Sequence, residues 1–209
     1  MLSLLVLAVA GSASLVPTDD IWVYPHASDQ KDAYLRVWGA EGGAVAPGAD
    51  AMDSFSYSYL KFDLAKVPAD AKIVGATLTL THIADPGWTA ALTKDSPIEV
   101  RAVVAGFSEK TWDYANASKW LPAADSKSVL GAFSPQPGEA GKTIQVTIDL
   151  LKGPGDFRAA LAKAKADGAL GLALTSTMDP AVAGRSGVYK FYSKDEEKES
   201  RRPTLSLRW

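Results

Sequence analysis

Cysteine is absent from the chain. That absence excludes disulfides, thiolate zinc sites, iron–sulfur clusters and cysteine nucleophiles. Histidine is almost absent: only His26 and His82 occur, too few for a multi-histidine metal centre. Neither lies near a Gly-x-Ser-x-Gly turn, so a serine hydrolase triad has no anchor. An excess of one charge is missing too. Lys and Arg number 22 against 24 Asp and Glu, for a net charge of −2, which leaves no electrostatic footprint for nucleic acid. No apolar run reaches the roughly 20 residues of a membrane-spanning helix. What remains is the composition of a folded domain: 209 residues, 47% hydrophobic and 22% charged, enough to enclose a core without disulfides.

Met1 to Ala10 reads MLSLLVLAVA and is followed by Gly11-Ser12-Ala13-Ser14. An apolar run closed by small residues has the form of a secretory signal peptide, although no Lys or Arg precedes it. The expected division is a leader over 1–13, cut after Ala13, and a single domain over 14–209. With no cysteine at the cut there is no site for a lipid anchor. The expected location is therefore secreted, extracellular or periplasmic, with no membrane span.

The rest of the chain is a series of short alternating segments. Tyr57 to Leu64 puts Leu60, Phe62 and Leu64 on one face and Lys61 and Asp63 on the other. Ala76 to His82 alternates aliphatic residues with threonine, with His82 on the Leu78/Leu80 side as a packed residue. Segments starting at Asp20, Tyr34, Ile98, Ile144, Leu170, Val188 and Thr204 continue the pattern. A period of two marks strands with one face buried and one solvated, as in antiparallel sheets. Many such strands between Gly/Pro/Asp-rich loops predict an all-β, two-sheet antiparallel β-sandwich, jelly-roll-like. One helix interrupts them: Asp156 as N-cap, Phe157, Ala160, Leu161 and Ala164 on one stripe, and Gly168 as the stop. It is expected to cover an end of the sandwich.

Several blocks resemble a known family. They are Tyr59-Leu60-Lys61-Phe62-Asp63-Leu64, then Val67-Pro68, then Ile73-Val74-Gly75-Ala76-Thr77-Leu78-Thr79-Leu80. Phe107-Ser108-Glu109-Lys110-Thr111-Trp112 follows, and later Phe191-Tyr192-Ser193-Lys194-Asp195-Glu196 and Arg202 to Trp209. In order and spacing they are similar to the DNRLRE-type domain, which is grouped with the family 96 carbohydrate-binding modules. Two positions depart from it: Phe107 stands where Trp is common, and Trp209 replaces a terminal Tyr. The resemblance implies a secreted β-sandwich that binds polysaccharide, with uronate polymers among its ligands. It assigns no ligand-contacting residue to this chain.

The residues supply candidates of their own. An aromatic face stacks on the C–H face of a sugar while neighbouring groups hydrogen-bond its hydroxyls. Trp88 and Trp120 sit in long loops, with Lys94 and Lys119 nearby, and are the expected ligand contacts. The competing reading is that a loop tryptophan plugs the end of its own sandwich. Trp112 and Trp209 are expected in packing. Tyr57 and Tyr59, opposite the Leu60/Phe62 face, would form a solvated platform with Lys61, and with Lys190 and Arg101 from other strands. Asp19, Asp20, Asp29 and Asp32 flank the first alternating segment and are the weak candidates for a structural Ca²⁺, which takes six to eight oxygen ligands. No cofactor is otherwise required. The expected function is a monomeric, non-catalytic carbohydrate-binding module. An extracellular surface or matrix domain without soluble ligand is the alternative, and a polysaccharide lyase or hydrolase the third reading.

Overall fold

In the computed structural model the described residues are 10–24, 27–29, 33–39, 55–84, 89–112, 120–123, 125–136, 138–139, 141–178 and 189–209. The strands among them are β1 (Ser12–Leu15), β2 (Asp19–Tyr24), β3 (Ala27–Asp29), β4 (Tyr34–Gly39), β5 (Phe55–Asp63) and β6 (Gly75–Ile83). They continue as β7 (Ile98–Val103), β8 (Val129–Phe133), β9 (Thr143–Asp149), β10 (Ala169–Ser176), β11 (Tyr189–Tyr192) and β12 (Thr204–Arg208). Every pairing is antiparallel. One sheet is built around β6: β9 lies along one edge, while β12 and β11 take successive stretches of the other. Outside these, β1 flanks β12 and β4 flanks β11. The second sheet runs β8-β7-β10-β5-β2-β3. Pairing of Trp38 with Ser56 and Gly39 with Phe55 joins β4 to β5, so the sheet curls from one layer into the next. The fold is all-β and sandwich-like, as the alternation predicted.

Between the layers, Leu60 and Phe62 of β5 meet Leu78 and Leu80 of β6, Leu172 and Leu174 of β10, and Leu205 and Leu207 of β12. His82 is fully buried on the same side, its ring 5.3 Å from Phe191 and 6.2 Å from Tyr189. The expected solvated platform on β5 is not there. Tyr57 and Tyr59 are fully buried, in a second cluster with Ile21, Val23, Phe107, Trp112 and Ala173. Chain from beyond β7 folds back over that outer face, so β5 is covered on both sides. Arg101 is buried as well and belongs to no platform.

The predicted helix is α2 (Phe157–Asp167). Its N-cap Asp156 accepts from the Ala159 N–H at 3.0 Å, and Gly168 ends it in the left-handed region at φ +74°. Phe157 and Leu161 enter the main core, while Lys165 donates to the Pro68 carbonyl at 2.8 Å. A second helix, α1 (Ala90–Asp95), lies in what reads from sequence as a loop, with Thr89 capping it through the Leu92 N–H at 3.1 Å. Strand β1 overlaps the expected leader: Ser12 and Ala13 pair with Arg208 and Leu207. Just before them, Gly11 and Trp209 exchange backbone hydrogen bonds of 2.8 and 2.9 Å. A side chain on Gly11 would require the Trp209 indole to move.

Candidate functional site

Past β7 the chain makes a polar turn between two aromatic residues, Phe107 and Trp112. The Trp120 ring closes over Gly106, where any side chain would meet it at 2.8 Å. Trp120 stands 5.9 Å from Trp112 and 6.0 Å from Phe107, and Phe107 meets Trp112 edge-on at 5.4 Å. Tyr59 supports both from beneath, at 5.8 Å from Phe107 and 4.8 Å from Trp112. Gly106, Phe107, Ser108, Thr111, Trp112 and Trp120 line a cup of about 300 Å³. Phe107 and Trp112 are buried, Trp120 and Ser108 half-buried and Thr111 exposed, so Trp120 is the ring of the three nearest to solvent, with Ser108 and Thr111 in the same lining. The Tyr59 hydroxyl is fully buried, with no hydrogen-bond partner among the described residues. Burial, with Tyr57 adding to it, raises its ionisation well above the ordinary phenol range. It remains a neutral group.

One buried cation positions the Trp120 segment. The Arg101 guanidinium on β7 donates to the carbonyls of Ala123 and Asp125 at 2.7 Å each, to the Ser128 hydroxyl, and to Glu99 at 2.6 Å. Five donors in a planar fork allow one side chain to hold several acceptors.

A chain of charges runs beside the cup. Lys61 donates to the Phe107 carbonyl at 3.0 Å and pairs with Asp19 at 3.3 Å. Asp19 in turn accepts from the Glu109 N–H at 3.2 Å, and the Glu109 carboxylate accepts from the Asp20 N–H at 3.3 Å. The Lys194 ammonium lies 3.0 Å from Glu109 and 2.8 Å from Asp195. Its backbone N–H donates to the Asp20 carboxylate at 2.6 Å. Burial alone would lower the Lys194 pKa, but hydrogen bonds to Asp195 and Glu109 outweigh it and raise it. These contacts tie β2, the 107–112 turn and the turn after β11 together.

Of the expected calcium candidates, Asp20 lies in a cluster with two other carboxylates. Asp20, Glu109 and Asp195 can bring oxygens within 4.8 Å of one another. However, the Lys194 ammonium already supplies the positive charge at two of them. Asp19 and Asp20 are consecutive in a strand and so point to opposite faces, one toward Lys61 and the other toward Lys194. In this arrangement the Lys194 ammonium stands among the carboxylates of Glu109 and Asp195. Replacing Lys194 by Met is expected to cost about 2 kcal/mol, because partly buried carboxylates lose their counter-charge. For a domain of this size that lowers Tm by roughly 4–8 °C. A thermal melt unchanged from the parent would contradict the arrangement.

Of the residues the sequence singled out, the structure brings together Trp120, Lys61, Asp19 and Asp20, with Tyr59 underneath. Tyr57 is enclosed in the cluster below the cup and reaches no surface. Lys94 is exposed in the last turn of α1 and does not line the cup. Asp29 lies in β3 opposite Trp22. Trp88, Lys119 and Asp32 fall outside the described residues. Sequence reasoning missed Ser108, Thr111 and Lys194 as parts of the site. The signal for the first two was the polar run held between Phe107 and Trp112.

The chain matches no protein-family model, and no curated protein matches its sequence. The resemblance of the blocks quoted above is carried by those residues alone.

Proposed function

We propose that this protein is a secreted, non-catalytic carbohydrate-binding module that holds an extracellular polysaccharide, of the uronate type, at the Trp120 cup. The observation that carries this reading is the half-exposed Trp120 ring, set against Trp112 and Phe107 with Ser108 and Thr111 in the same lining. An aromatic wall with hydroxyl neighbours gives a sugar both a face to stack on and hydrogen-bond partners at its edge. The family-like blocks and the apolar N-terminal run support the same reading.

Affinity electrophoresis through alginate, polygalacturonate and a neutral β-glucan tests it. Retention is expected without new reducing ends or unsaturated uronate absorbance. Trp120→Ala is expected to weaken retention by about tenfold, equivalent to about 1.4 kcal/mol of lost stacking. No retention by any glycan would return the protein to the class of surface packing domains, and product release would make it an enzyme.

A further inference from the structure

Helix α2 and the chain that leads into β6 enclose a groove of about 380 Å³. Its floor is aliphatic: Ile73 and Leu161 are buried there, and both belong to the main core. No aromatic ring is among its lining residues, which sets it apart from the Trp120 cup. At the rim Val74 is 65% exposed, a large apolar side chain that the fold leaves in solvent. An apolar concavity with a few convergent polar groups is the form of a small-molecule site.

Most of those polar groups are cations. Lys72, Arg158 and Lys165 line the groove against one carboxylate, Asp70. Arg158 and Lys165, two turns apart, share one face of α2. The Arg158 Nε donates to the Ile73 carbonyl at 2.9 Å, and the Lys165 ammonium to the carbonyls of Pro68 and Ala69 at 2.8 and 3.3 Å. A carbonyl has no net charge, so these bonds hold both side chains in place and leave their charges uncancelled. Of the five N–H donors of a guanidinium, only the one at Nε is engaged among the described residues. The outer nitrogens keep their donors, in the fork that grips an oxyanion. Lys72 is exposed and enters no ion pair among the described residues. Three cations less one carboxylate give the lining a formal charge of +2, in a chain of net charge −2. Beside the cup, by contrast, Lys61 and Lys194 are both paired with carboxylates.

We propose that this groove binds a small amphiphilic carboxylate, its aliphatic body lying on Ile73, Leu161 and Val74 and its anionic head held by Lys72, Arg158 and Lys165. Inorganic phosphate would meet the cations but leave the aliphatic floor wet, and a sugar ring would find no aromatic face. The inference does not depend on the carbohydrate reading.

Titration of the full chain with hexanoate at low salt, followed by NMR of the backbone amides, tests it. Hexanoate is expected to shift the amides of Ile73, Val74 and Leu161. It is expected to bind about tenfold more tightly than hexanol or acetate, and to weaken as salt rises. Lys72→Gln is expected to weaken hexanoate about fivefold with Tm unchanged, since Lys72 is exposed. Hexanol binding as tightly as hexanoate overturns the part given to the cations. Acetate binding as tightly reduces the groove to an adventitious ion site and overturns the proposal, as does wild-type affinity in Lys72→Gln. Sedimentation with phosphatidylglycerol vesicles, without any shift by hexanoate, overturns it in favour of a membrane contact. Trp120→Ala is expected to bind hexanoate as the parent does, so failure of the cup and failure of this groove are separate results. If Lys72→Gln fails to fold, the hexanol, acetate and salt comparisons on the wild type decide.

Discussion

Replacing Arg101 by Met is expected to lower stability by about 3 kcal/mol, because a buried guanidinium that holds several acceptors at once is lost. For a domain of this size, that moves Tm down by roughly 6–12 °C. The side chain is 3% exposed and binds two carbonyls, a hydroxyl and Glu99 at once. Its removal leaves the Ser128 hydroxyl as the remaining side-chain donor to the Ala123 and Asp125 carbonyls and loosens the segment that begins at Trp120. Glycan retention is expected to fall with it, and tryptophan fluorescence to shift to the red. Arg101→Lys is expected to rescue little, since one ammonium cannot reproduce the planar fork. A variant with both Tm and retention intact would show that the segment is held by other means.

The second large effect is on pH dependence. Asp20 is 4% exposed, and burial first, with repulsion from Asp195 and Glu109 behind it, pushes its carboxyl up to about 7 against the Lys194 N–H and ammonium. The folded pKa thus lies above the unfolded one, so folding favours the protonated acid. The contribution is fully present below about pH 4 and is lost as pH rises through 7. It amounts to about 4 kcal/mol at most, three pKa units at 1.36 kcal/mol each. Stability is therefore expected to decline between pH 5 and pH 8. Asp20→Asn keeps an acceptor for the Lys194 N–H and removes the titration. It is expected to flatten that slope and to melt above the parent at pH 8. An identical slope in the variant would assign the dependence to another group.

The sheet was legible wherever each face of a strand meets one environment. Ala76 to His82 and Ile144 to Leu150 alternate because one side enters the core and the other stays nearer solvent. Strand β5 misleads for a physical reason. Tyrosine is amphipathic, so Tyr57 and Tyr59 beside Lys61 resemble a wet face, and the residues that cover them arrive from 107 to 120 with no periodicity to announce it. Strand β1 hides at the end of an apolar run that reads as a leader. Helix α1 and strands β3 and β8 are too short to show a period. Trp120 could be named from its loop, but the ionic chain beside it joins positions 89 and 174 residues apart in sequence. The groove beside α2 likewise exists only once Arg158 and Lys165 are placed against the carbonyls of Ile73 and Pro68.

The pairing of Gly11 with Trp209 also sets how the domain answers a mechanical load. Residues 11 and 209 lie side by side at the same end of the antiparallel β1–β12 ladder. Tension applied through these two residues pulls the strands apart like a zipper, breaking one pair of hydrogen bonds at a time instead of shearing the whole ladder together. Yielding begins at Gly11 and peels β1 away, while β12 keeps its other partner, β6, and the core beneath remains closed.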